Sequence, residues 1–218
     1  MGLKINFEEL NNFCVLNDFV LVDNEMLKEE RMYKNFVYST KANFVGKSVY
    51  PKDMPIIINK EVWNKLIKIN NELKEKGKCI TIYDAFRPIQ IQRLFWDYFY
   101  EEHGYHDETL VADPDKFGMH NIKINAVDMM LSNLDGSKIE LPCEFDDFSE
   151  KANIYYDKCS EEAAKNRDLL IEISKRYGLI VNENEWWHFN DERVLGIEIK
   201  KDKNLIPINE EKVFILKN

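Results

Sequence analysis

The sequence predicts an α+β fold in a single domain: a small central antiparallel or mixed sheet flanked by helices. Three observations carry that expectation. Stretches with helical apolar period, bounded by cap and glycine stop signals, interrupt a series of short β-rich runs. The two kinds of segment alternate irregularly rather than as repeated βαβ units. The 218 residues contain no internal repeat, low-complexity tract or Gly/Ser linker at which a domain boundary would fall.

Taken in order, Phe19–Asp23 (FVLVD) reads as a short strand. Residues 33–50 mix aromatic and β-branched types with turn formers and read as short strands or extended loop. Asn59–Lys76 is the clearest helix: Val62, Leu66, Ile69 and Leu73 recur at helical spacing, Asn59 suits the N-cap and Gly77 the stop. Cys79–Tyr83 (CITIY) reads as a buried strand. Pro88 then opens a second helix through about Glu102, since proline is tolerated in a first turn. Its aromatic residues Phe95, Trp96, Tyr98, Phe99 and Tyr100 cover more than one face, so part of it is expected to be fully buried. His103–Met119 reads as a long irregular loop broken by Gly104, Pro114 and Gly118. Asn125–Leu131 is a strand candidate, and Pro142 to Ser160 shows no clear period. Glu161–Tyr177 is a third helix ended by Gly178; Trp186–Phe189 and Val213–Leu216 read as further short strands.

Composition narrows the function classes. The net charge is -9 and the pI about 5.1, with lysines interspersed among acids, so the basic face of a nucleic-acid binder is not expected. No stretch approaches the ~20 apolar residues of a membrane helix. The N-terminal MGLKINFEEL lacks a signal-type apolar core, which predicts a cytoplasmic location. Cys14, Cys79, Cys143 and Cys159 are scattered without a CxxC pair and are expected to be free thiols.

Chemistry is expected where polar groups interrupt apolar runs. Asp128 lies inside Ala126-Val127-Asp128-Met129-Met130-Leu131, a strand buried on both faces. An isolated buried carboxylate costs several kcal/mol, so it requires a cationic partner, either an arginine or a metal ion. In Glu185-Trp186-Trp187-His188, two tryptophans wall a histidine and a glutamate. His188 suits a metal ligand with Glu185 as the nearby base, or else a core histidine packed by aromatics. Because residues three apart in an ideal strand face opposite ways, joint action requires a turn or bulge there. His120 ends the irregular loop eight residues before Asp128, so the two can converge on one ion. Two His and one carboxylate leave an open position, as catalytic rather than structural zinc requires. His103 and His106 form a competing pair whose spacing better fits exposed histidines. Arg87, in YDAFRP at a strand-to-helix junction, suits stabilisation of negative charge on a carbonyl oxygen, or a structural pair with Asp84.

Several segments in the same order resemble the D-Ala-D-Ala dipeptidases of the vancomycin-resistance type, within the wider zinc D,D-peptidase family. They are Tyr38-Ser39-Thr40 with Asn43-Phe44-Val45-Gly46-Lys47, Tyr83-Asp84-Ala85-Phe86-Arg87-Pro88, Val111-Ala112-Asp113-Pro114, His120 with Ala126-Val127-Asp128, Phe145-Asp146, Asn166-Arg167, and Glu185-Trp186-Trp187-His188-Phe189. The resemblance implies Zn2+ on His120, Asp128 and His188, Glu185 as general base and acid, and Arg87 on the tetrahedral intermediate. It also implies that Asp146 holds the free amino group of a small dipeptide substrate. Alternatives within the resemblance are an enzyme of longer cell-wall peptides and a non-catalytic metal-binding relative. The family pattern Ser-x-His-x-x-Gly-x-Ala-x-Asp departs here: Gly118 replaces the serine, Ile124 the glycine, and one residue is added between His120 and Asp128. A bulge within Asn121–Lys123 is the expected remedy.

Overall fold

The computed structural model describes residues 2–199 and 201–217. The elements run β1 (Gly2–Ile5), α1 (Phe7–Leu16), β2 (Phe19–Val22), α2 (Asn24–Glu30), β3 (Tyr33–Lys34), β4 (Ile56–Asn59), α3 (Lys60–Glu75), β5 (Lys78–Asp84), α4 (Ile89–His103), β6 (Val127–Asn133), α5 (Glu161–Arg176), β7 (Leu179–Asn182), β8 (Glu185–Asp191), α6 (Glu210–Val213) and β9 (Phe214–Lys217). Helices and strands are thus mixed, and the α+β expectation holds.

The central sheet has five strands in the order β3-β5-β6-β8-β7. β3 is parallel to β5 and the other pairings are antiparallel, which makes the sheet mixed. Two antiparallel ribbons, β1-β9 and β2-β4, complete the strand pairing among the described residues. Strands β5 and β6 are buried along nearly their whole length, as continuous apolar runs require.

Helix α3 forms where the apolar period and the cap agree. Asn59 Oδ1 accepts from the Glu61 and Val62 amides, and Val62, Leu66, Ile69 and Leu73 are all fully buried. In α4, Phe95 and Phe99 are buried, but Tyr100 is 52% exposed, so the helix buries one face only. Gly104, at φ 76°, ends it in the left-handed conformation. Helices α1 and α2 lie outside the elements expected from pattern; each is short and opened by a side-chain cap, Asn6 and Asp23.

The segment between His120 and Asp128 corrects the expected strand bulge. His120 sits on a 3₁₀ turn, Met119–Asn121, and β6 begins only at Val127. Residues 122–126 belong to no strand, and Lys123 N donates to Leu205 O at 2.8 Å. Ile122 packs in a separate apolar cluster with Val194, Ile199 and Leu205. The added residue therefore falls in loop, where no side-chain alternation has to be preserved.

A further buried carboxylate lies in α6. Glu210, 7% exposed in the first turn of α6, accepts from the Ile89 amide. Burial pushes its carboxyl up to about 7, against the lowering effect of that bond. The folded chain therefore holds a proton more tightly than the unfolded chain between the ordinary value of 4.5 and about 7. Stability contributed below that window is lost as pH rises through it. Glu210→Gln is expected to flatten this slope and to stabilise the protein above pH 7 by about 1–3 kcal/mol. Denaturant midpoints at pH 5 and pH 8 check it; an unchanged slope in the variant contradicts it.

Candidate metal centre and its pocket

Sheet register brings the first three polar groups level. Asp84 at the end of β5 pairs with Asp128 in β6, and Asp128 pairs with His188 in β8. His120 reaches the same point from its 3₁₀ turn. The turn is held by Arg87 N donating to His120 O at 3.0 Å and Ala126 N donating to Met119 O at 2.9 Å. Asn121 adds two bonds, accepting from Gly118 N and donating to Arg87 O. A Cβ on Gly118 would lie 2.8 Å from Ala112 Cβ and 3.1 Å from Asn121 Oδ1, so the site accepts glycine where the family pattern has serine.

His120 Nε2, His188 Nδ1 and the Asp128 carboxylate converge. Asp128 lies 3.1 Å from His120 and 2.9 Å from His188, and the two ring nitrogens are 3.1 Å apart. One ligand atom from each falls within 4.8 Å of the others, and all three residues are buried. Each imidazole is anchored through its other nitrogen, His120 Nδ1 to Ala85 O at 2.7 Å and His188 Nε2 to Asn190 Oδ1 at 3.1 Å. Such outer bonds fix the tautomer and ring orientation of a metal-binding histidine. Burial alone would raise the Asp128 carboxyl, but the charge and hydrogen bonds of the two imidazoles hold it well below the usual carboxylate range. Burial would lower His188, yet Asp128 outweighs it and raises its proton affinity. The same attraction favours a cation in the proton's place. Two neutral-nitrogen donors, one ionised carboxylate and an open side fit a divalent metal ion.

The remaining groups face the same pocket of about 230 Å³. Glu185 Oε2 lies 3.8 Å from His188 Nδ1. The β7–β8 pairing shifts register between Val181 and Asn182, and this irregularity lets residues 185 and 188 share a side. Burial pushes Glu185 up to about 7, outweighing the lowering pull of His188 and Arg87. Arg87 Nη2 lies 3.9 Å from Asp128 Oδ2, while its Nε binds Asp84 Oδ2 at 2.9 Å. Tyr50 OH donates to Asp84 at 3.0 Å and keeps that anchor in place. Asp146 occupies a left-handed conformation, φ 61°, that turns its carboxylate to the pocket wall. Its Oδ1 accepts from Tyr38 OH at 3.1 Å, whereas Oδ2 is buried without a hydrogen-bond partner. Burial raises the Asp146 carboxyl well above the ordinary carboxylate range, so a ligand cation set against Oδ2 would both supply the missing partner and favour the charged form.

The structure thus assembles His120, Asp128, His188, Glu185, Arg87 and Asp146 around one pocket. The Arg87–Asp84 pair and the metal-type cluster coexist, so the two readings of Arg87 and Asp128 are not exclusive. His103 and His106 stand outside it, exposed at the end of α4, with His106 stacked on Trp96 at 3.8 Å. Asn190, Tyr50 and Gln92 were not singled out by sequence. Asn190 carried a signal in retrospect, two residues beyond His188 and so on the same strand face. Tyr50 carried none, because its bond to Asp84 depends on the path of the loop before β4; of the two bonds of Gln92 only that to Arg87 is local.

The model of the peptidase M15 family, described as D-ala-D-ala dipeptidase, matches residues 19–200. The D-alanyl-D-alanine dipeptidase of Escherichia coli (strain K12) is 28% identical over 152 residues, covering 70% of this chain and 75% of that protein.

Proposed function

The chain belongs to the peptidase M15 family of D-Ala-D-Ala dipeptidases, and from that premise we propose that it hydrolyses D-alanyl-D-alanine to free D-alanine with one zinc ion. The carrying observation is the meeting, in one pocket, of a His-Asp-His ligand set with a carboxylate and a guanidinium each within 4 Å of it.

His120, Asp128 and His188 would hold the ion. When bound, zinc supplies a Lewis acid that acidifies water and polarises a carbonyl. Glu185 accepts the proton of the attacking water and returns it to the leaving amino nitrogen. Arg87 Nη2 faces the developing oxyanion, and Asp84 keeps the guanidinium from swinging away. Buried Trp187 lines the pocket beside Glu185 and shields that side from bulk solvent.

Asp146 sets the length of substrate. Its free Oδ2 receives the ammonium of an unblocked dipeptide, which an acylated or longer N-terminal side would lack or overrun. Asp146→Asn is expected to raise KM for D-Ala-D-Ala by about 10- to 100-fold, the loss of one charge-assisted hydrogen bond. The wild-type protein is expected to release D-alanine from D-Ala-D-Ala, but not from its N-acetyl form or from a pentapeptide stem. Cleavage of the stem at a comparable rate would instead favour an enzyme of longer cell-wall peptides. Zinc binding without turnover on any of them would favour a non-catalytic relative.

The chain reads as one zinc D,D-dipeptidase domain. A cytoplasmic location suits the four free cysteines, which a reducing compartment keeps as thiols. No described helix is long and apolar enough to cross a membrane.

A further inference from the structure

Gln92 is a buried polar side chain beside the pocket to which the chemistry above gives no part. It lies in the first turn of α4 and is 1% exposed. Its Oε1 accepts from Arg87 Nη1 at 2.9 Å, and its Nε2 donates to Ala112 O at 2.8 Å. The amide can sit only one way round: flipped, NH2 would face a guanidinium N–H and the oxygen would face a carbonyl. Arg87 is held at every other point except one. Nε is on Asp84, and the guanidinium carbon stands 5.0 Å from the Phe95 ring centre and 5.5 Å from that of Tyr38. With Nη1 taken by Gln92, Nη2 is the group left to face Asp128 and the pocket.

The second arm of Gln92 grips the pocket wall. Residues 108–112 line the pocket, and Ala112 lies so close to Gly118 that no Cβ fits between them. Gln92 is a buried side chain that hydrogen-bonds both this wall and Arg87.

We propose that Gln92 is a positioning residue that aims Arg87 Nη2 at the substrate carbonyl and ties the wall at residues 108–112 to that aim. Substrate seated against the wall and the guanidinium facing its carbonyl are then set by one side chain. The aiming half rests on the role of Arg87 proposed above; the tether half does not.

The test is a double-mutant cycle on the zinc-loaded, full-length protein. Gln92→Met, similar in volume, is expected to lower kcat for D-Ala-D-Ala by about tenfold or more, since small misplacements of catalytic groups are costly. KM should rise severalfold as the wall loosens. Hydrogen exchange at the Val111 amide, bonded to Asp107 O at 2.9 Å, should accelerate. In an Arg87→Lys background, which lacks the Nη1 that Gln92 orients, Gln92→Met should cost no further kcat while its KM and exchange effects persist. Equal kcat losses in both backgrounds would overturn the aiming role, as would an unchanged kcat in Gln92→Met when Arg87→Lys is impaired. Unchanged Val111 exchange would overturn the tether. If Arg87→Lys alone keeps wild-type kcat, the aiming half falls together with the role of Arg87, while exchange still decides the tether. Should Gln92→Met not fold, Gln92→Asn, one methylene too short to reach both partners, carries the same comparison.

Discussion

Glu185→Gln is expected to lower kcat for D-Ala-D-Ala by about 10²- to 10⁴-fold, the usual worth of a positioned general acid-base, while metal content stays at the wild-type level. The amide preserves the shape of the side chain and its place 3.8 Å from His188 Nδ1. It cannot take a proton from water. The proposed ligands His120, Asp128 and His188 are untouched, which separates loss of the base from loss of the ion. KM should change little, because the ammonium of the substrate is assigned to Asp146 rather than to this carboxylate. Steady-state kinetics with elemental analysis of the same sample checks the expectation. Near-normal turnover in a folded, metal-loaded variant would remove Glu185 from the mechanism.

The second large effect is expected at Asp128. Asp128→Asn keeps volume but removes the charge on which both imidazoles converge, and it leaves Arg87 with Asp84 as its remaining close anion. Metal affinity should fall by more than the ~10- to 100-fold typical of losing an outer-shell partner. Turnover should fall with it at limiting zinc. Excess zinc should restore part of the activity if the two histidines still bind, and competition with a chromophoric chelator would read the affinity directly. An affinity equal to wild type would mean that Asp128 serves only Arg87.

How much of this could be read from the sequence follows from what each signal encodes. The helix α3 was legible because period, cap and stop coincide in Asn59–Gly77. Asp128 was legible because an acid inside an apolar strand needs a partner whatever the fold. Glu185 and His188 were legible as a pair, but their shared side depends on a register shift opposite Val181 and Asn182 that no local pattern encodes. The excursion at 122–126 was misplaced for the same reason. The partners of Ile122 are Val194, Ile199 and Leu205, more than 70 residues downstream, so nothing near it marked residues 122–126 as lying outside the sheet. Tyr50 belongs to that class too, as does the bond of Gln92 to Ala112, since tertiary contact alone supplies them. Chemistry carried by an out-of-place residue type is visible in sequence; chemistry carried by the path of the backbone is not.

Metal content and D-alanine release, measured on one preparation before and after chelation, bear most directly on the convergence of residues 120, 128 and 188 about a cation. The protein should bind about one zinc per chain, stop releasing D-alanine when stripped, and recover on stoichiometric readdition. His120→Ala and His188→Ala should bind none at the same free zinc. A stripped wild-type chain that still cleaves the dipeptide, or histidine variants that hold zinc as tightly as wild type, would contradict the account.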